Sequence, residues 1–249
     1  MERSTAFFSK VLCALAVTPL LAMAAGSGAP LDTAPIDLHD KISLQRGAHA
    51  FANYCIGCHS ASYMRYSRLT DLGLSEQQIK NYLLPSAVKV GETMNIAMRK
   101  EDGQQWFGVA PPDLSVIARA RGADWLYTYL RTFYQDESRP TGWNNWVFDK
   151  VGMPHALWQL QGIQVLKVNQ KKDAHGNQAE EKKLELTAQG QLSPREYDVL
   201  VADLVNYLTY MGEPDKSRRT RLGIIVLFFL TVMFVVTLLL KKEYWKDVK

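Results

Sequence analysis

Cys55-Ile56-Gly57-Cys58-His59 is the stretch from which the rest of the chain can be read. Two cysteines three positions apart, followed at once by histidine, form the C-x-x-C-H pattern of c-type haem attachment. The spacing has a mechanical basis. Thiols one helical turn apart can each add across one of the two vinyl groups of a single porphyrin, and the adjacent histidine then lies beneath the iron as proximal ligand. Other chemistries use the same residues. A thioredoxin-like dithiol usually follows a strand in a βαβ unit, whereas here the motif ends a helical pattern. From Ser43 to Tyr54, the residues Leu44, Ala48, Phe51 and Tyr54 or Cys55 fall on one stripe. Half of a zinc site would need further cysteines, and the only other one in the chain is Cys13.

The two ends of the chain read as targeting and anchoring segments. Residues 1–25 open with Arg3 and Lys10 and continue into an apolar run from Val11 through Leu21. They close on the small-x-small site Ala22-Met23-Ala24, so a signal peptide cleaved after Ala24 or Ala25 is expected. Cleavage removes Cys13 and leaves Cys55 and Cys58 as the cysteines of the mature protein. Residues 222–240 carry no charge. At 1.5 Å per residue such a run spans about 29 Å, the thickness of a hydrocarbon core. Arg221 and Lys241 bracket it, with Tyr244 and Trp245 at one interface. Both flanks are basic and do not orient the span. The signal peptide does: residues 26–217 are expected to face the periplasm, and the short tail from Lys241 the cytoplasm of a bacterial cell.

Composition narrows the possibilities. Of 249 residues, 47% are hydrophobic and 22% charged, which suits a globular protein rather than a disordered one. The net charge of +4 resides in the two ends. Residues 26–217 hold 20 basic and 22 acidic side chains, so this body is not a nucleic-acid binder by charge.

Between the ends, helices are expected over Leu74–Leu84, entered at Ser75 and stopped by Pro85, over Asp113–Arg121, and over Asp124–Tyr134. Gly91–Lys100 is ambiguous. Pro140–Pro154 reads as an aromatic loop with Trp143, Trp146 and Phe148, and the charged 167–187 as an exposed hairpin. The last soluble helix begins at Ser193-Pro194-Arg195-Glu196, with serine as cap, proline at the first position and glutamate at the third. Tyr197, Leu200, Val201, Leu204, Leu208 and Met211 then recur at helical spacing, and Gly212 and Pro214 end it. No Gly-rich phosphate loop or nucleophile elbow is present.

The haem iron of an electron carrier usually takes a second protein ligand. Met64, Met94, Met98, Met153, Met211 and Met233 are the mature methionines. Met233 is in the span, Met64 is five residues from His59, and Met211 is on a core stripe. Met94 and Met98 could share a helix face. Met153, in Val151-Gly152-Met153-Pro154, is offered by an irregular segment that glycine and proline shape. A thioether presented in this way is a candidate sixth ligand that raises the reduction potential. His39, His49, His155 and His175 compete, with His155 foremost.

Taken together, these segments resemble the cytochrome c1 family. The resemblance rests on Cys55-Ile56-Gly57-Cys58-His59-Ser60 with Tyr63-Met64-Arg65-Tyr66 and Leu69, and on Pro111-Pro112-Asp113-Leu114-Ser115. It also rests on Ile117-Ala118-Arg119-Ala120-Arg121-Gly122, the Met153-Pro154 pair and the C-terminal span, in order from about Leu38 to Lys249. Trp125 stands where the family often has tyrosine. The resemblance implies a mainly α, class I cytochrome c-like domain with loop insertions and one C-terminal transmembrane helix. It implies one covalently attached haem c with His59 and Met153 as axial ligands, Arg121 pairing with a haem propionate, and the Pro111-Pro112 turn walling the haem edge. It further implies a dimeric bc1 complex, with cytochrome b and the Rieske iron–sulfur protein as partners and a soluble or membrane cytochrome c as acceptor. In that setting the chain has no catalytic site of its own and serves quinol oxidation by the whole complex. Two other readings remain: a free-standing, membrane-tethered electron shuttle, and a haem enzyme or gas sensor in which Met153 is unbound.

Overall fold

The structure, a computed structural model, describes residues 29–84, 89–172 and 178–247. The expected signal peptide, the stop at Pro85 and His175 lie outside these residues.

The first helix, α1 (Lys41–Tyr54), starts two residues before the expected position because the Asp40 side chain accepts from the Ser43 amide. It buries Leu44, Ala48 and Phe51, as the stripe anticipates. A short strand β1 (Ala61–Arg65) follows the cysteine motif and leads into a 3-10 turn, Tyr66–Leu72. Helix α2 (Glu76–Tyr82) opens with a reciprocal capping box between Ser75 and Gln78. The ambiguous segment holds no helix before its last residue: β2 (Thr93–Met94) pairs antiparallel with β1, and Met98 lies in coil. Met94 and Met98 therefore do not share a helix face. Helix α3 (Lys100–Phe107) comes after it, and the sequence signals had not marked it.

Two boundaries differ from expectation for a common reason. Helix α4 spans only Ile117–Arg121 rather than starting at Asp113, because Asp113 is spent on bonds to residues 62 and 115. Helix α5 (Ala123–Arg131) ends before Tyr134, because Phe133–Gln135 forms β3 against β4 (Trp143–Asn145). In both places a contact distant in sequence overrides local helical preference. A single turn, α6 (Trp158–Gln161), leads into an antiparallel hairpin of β5 (Gly162–Lys172) and β6 (Gln178–Gln189), longer at both ends than the charged stretch suggested.

Helix α7 (Pro194–Gly212) begins at the expected cap: Ser193 accepts from the Glu196 amide, and Glu196 accepts from the Ser193 amide. Its buried set is wider than one stripe, adding Val205, Tyr207 and Tyr210, and both α1 and α5 pack on it. Helix α1 crosses α7 closely. A Cβ on Gly47 would fall on the Asp203 carbonyl, so only glycine permits the approach. Beside it Arg46 forks onto the buried Asp203 at 2.5 and 2.9 Å, and Phe51 meets the Tyr207 ring at 5.7 Å. Helix α8 (Lys216–Tyr244) is long and apolar enough from Arg218 onward to cross a membrane, and none of that window is buried.

Candidate haem site

The motif continues α1 by one tight turn. The Cys55 amide still donates to the Phe51 carbonyl at 3.0 Å, and the amides of Cys58 and His59 both donate to the Cys55 carbonyl, at 3.1 and 2.9 Å. This places the two thiols on one turn, both free and half-buried. Burial, with Cys58 as a neighbour, pushes the Cys55 thiol up to about 12.

His59 is buried, and its Nδ1 lies 2.8 Å from the Pro112 carbonyl oxygen. A carbonyl only accepts, so Nδ1 carries the proton and Nε2 is the ring nitrogen left for a metal. Burial lowers the proton affinity of the imidazole, against the opposing pull of the Pro112 bond and the Asp113 charge. The neutral imidazole, the form that ligates iron, is the one this environment favours.

Pro112 is held by its neighbour. The Asp113 carboxylate accepts from the Ser62 amide (2.9 Å), the Ser62 hydroxyl (2.7 Å) and the Ser115 amide (2.8 Å). Burial alone would raise the carboxyl, but these donors from Ser115 and Ser62 outweigh it and hold it below the usual carboxylate range. The Leu114 amide donates to the Ser60 carbonyl at 2.8 Å. The turn Pro111–Ser115 is therefore sewn to the residues directly behind the motif, and the carbonyl that orients His59 has little freedom.

The Met153 segment packs against the residues just before this turn. A Cβ on Gly152 would come within 2.6 Å of the Val109 side chain and 3.0 Å of the Phe107 carbonyl, so the segment lies hard against residues 107–109. Val109 and Pro112 are three residues apart, at most about 11 Å of chain. One short stretch thus touches both the Met153 loop and His59. Met153 is half-buried against the core, and the Tyr129 hydroxyl donates to its sulfur at 3.4 Å.

Most competing ligands are occupied elsewhere, but the half-buried Met98 lies in coil with its sulfur 3.4 Å from where a Cβ on Gly103 would stand, close to Pro111. Met64 and Met94 are buried in the paired strands, the latter with the Tyr207 hydroxyl 3.7 Å from its sulfur, and Met211 is buried in α7. His155 is a core residue. It stacks parallel on Phe133 at 4.9 Å, bonds Gln161 at 2.7 Å, and is pushed down to about 4 by burial despite that bond. His39 and His49 are exposed. Arg121 ends α4 with its guanidinium 5.1 Å from the Trp125 ring centre and 5.8 Å from that of Phe148. Trp125 in turn stacks on Tyr129 at 4.7 Å. Arg121, Trp125, Tyr129 and Met153 are thus linked by successive contacts.

The donor set fits a covalently held haem: two thiols on one turn, a neutral imidazole with Nε2 available, and a thioether across the same short stretch. Sequence reasoning had not singled out Tyr129 or the bonding of Asp113. The i, i+4 spacing of Trp125 and Tyr129 on α5, and the Asp-x-Ser turn signature at 113–115, were the available signals.

Comparison with known proteins agrees. The model of the cytochrome C1 family matches residues 32–248. A protein of Nitrosomonas europaea named ammonia monooxygenase gamma subunit is 53% identical, with 96% of this chain and 97% of that protein aligned. Cytochrome c1 of Allochromatium vinosum is 49% identical over 94% of this chain and 96% of its own. Cytochrome c1 of Rhodospirillum rubrum is 29% identical over 85% and 84%.

Proposed function

The chain belongs to the cytochrome c1 family, and from that premise we propose that it receives one electron from the Rieske iron–sulfur protein and passes it to a cytochrome c. The family's members are electron-transfer haem subunits of the cytochrome bc1 complex and carry covalently bound haem c, for which Cys55 and Cys58 have the required spacing. The observation that carries the reading is the motif turn at the end of α1, with His59 Nδ1 tied to the Pro112 carbonyl. Cys55 and Cys58 hold the haem, His59 and Met153 ligate it, Arg121 pairs with a propionate, and Pro112 orients the proximal ring.

A haem held by Cys55 and Cys58 and ligated by His59 and Met153 would supply one-electron chemistry, and the protein would relay electrons for the quinol-oxidising complex. Residues 1–25 export the chain, 26–217 face the periplasm, and 222–240 anchor it beside cytochrome b in a dimeric complex. The name of the Nitrosomonas europaea relative points to a monooxygenase assembly instead.

Purification from detergent-solubilised membranes, with haem staining and subunit identification, separates these readings. Co-isolation of this chain, as the haem-staining band, with cytochrome b and the iron–sulfur protein is the expected result. Isolation alone would favour a tethered shuttle, and isolation with monooxygenase subunits the other assembly.

A further inference from the structure

Tyr129 sits on the inner side of α5 with its ring fixed on two sides. It stacks on Trp125 at 4.7 Å and 11°, and meets Phe133 edge-on at 5.0 Å and 69°. The residue is buried, and a buried phenol hydroxyl requires an acceptor. Among the described residues that acceptor is the Met153 sulfur, at 3.4 Å. Neighbouring tyrosines differ. The Tyr197 hydroxyl, on α7, donates to the Leu130 carbonyl at 2.8 Å and serves the packing of α7 on α5.

A thioether sulfur has two lone pairs. A hydroxyl pointed at one of them fixes the direction of the other and withdraws electron density from the sulfur. A poorer sulfur donor stabilises ferric iron less than ferrous, so the potential rises. We propose that Tyr129 is a positioning residue for Met153: its hydroxyl aims the thioether at the iron and holds the reduction potential above the value that methionine ligation alone would set. The inference rests on the reading of Met153 as sixth ligand. Trp125 extends the device, because its indole stacks on the phenol ring.

The test is redox titration of the holoprotein within its complex, together with the methionine-to-iron charge-transfer band of the oxidised form. Tyr129→Phe keeps the ring stack and removes only the hydroxyl. It is expected to retain covalent haem, lower the potential and shift the band. Incorporation of 3-fluorotyrosine at position 129, a stronger donor of nearly the same shape, is expected to move the potential upward. Tyr197→Phe, which also deletes a buried hydroxyl bond, should lower the unfolding midpoint and leave potential and band in place. A Tyr129→Phe protein with unchanged potential and band overturns the inference, as does a Tyr197→Phe protein whose potential falls equally. Met153→Leu distinguishes the underlying reading. If that variant keeps the band, the ligand assignment fails and the inference with it. If it loses the band while Tyr129→Phe changes nothing, only the role of Tyr129 fails.

Discussion

His59 bonds a backbone carbonyl rather than a carboxylate, so its partner cannot be lost by substitution at Pro112 unless the turn itself moves. The side chains that fix the turn are those of Asp113, Ser62 and Ser115. The thiols are the more exposed point of failure. Changing Cys55 or Cys58 singly to alanine is expected to leave one thioether and weaken attachment, whereas the double change abolishes it. A haem-stained denaturing gel reads this directly, and full staining of the double variant would defeat the haem c assignment. Local chemistry made Cys55, Cys58 and His59 legible in the sequence, because the motif lies within five residues. Met153 could be narrowed from the irregular segment around it but not separated from His155. What separates them is Gln161 and Phe133, which hold His155 in the core from other parts of the chain. The Tyr129 bond was out of reach for the same reason: its hydroxyl partner lies 24 residues away.

Among the elements, α1 and α7 form the contact from which the motif projects, and Gly47 sets their separation. Gly47→Ala forces a methyl group into the Asp203 carbonyl, and overpacking of this kind costs about 1–3 kcal/mol. A reduced denaturation midpoint, with the haem still attached, is the expected observation. The cap of α7 has a pH signature. Glu196 is held below the usual carboxylate range by the Ser193 hydroxyl and amide. A depressed carboxylate adds stability above its unfolded value of about 4.3 and loses it as pH falls through the folded value. Glu196→Gln should therefore lower the unfolding midpoint at neutral pH, with the gap to the parent protein closing on acidification. A gap independent of pH would contradict the assignment. Such caps were readable because their signals are local, from Ser193 to Glu196. The two- and three-residue strands β2, β3 and β4 were not, since each exists only through a partner elsewhere in the chain.

For the whole molecule the decisive division is between the folded body and α8. That helix has 29 residues, about 44 Å at 1.5 Å each, and the part between Arg221 and Lys241 covers about 30 Å. Near the junction Arg219 pairs with Glu213, and Arg68 reaches Asp215 at 3.4 Å, so the start of the helix is tied to the body. Ending the chain after Asp215 is expected to release a soluble, haem-loaded protein that still accepts electrons but no longer co-isolates with the complex. Retention on washed membranes would argue against the anchor, and retention in the complex would show that contacts of the body suffice. The stretch from Val109 to Pro112 has a consequence of another kind. It touches Gly152 at one end and His59 at the other, so its length acts as a gauge for the space between them. One inserted residue adds about 3.5 Å of chain, against a tolerance near 0.5 Å for a functional constellation. Related lineages should therefore exchange side chains there freely where packing allows, yet neither gain nor lose a residue, while the β5–β6 hairpin can lengthen and shorten without disturbing that gauge.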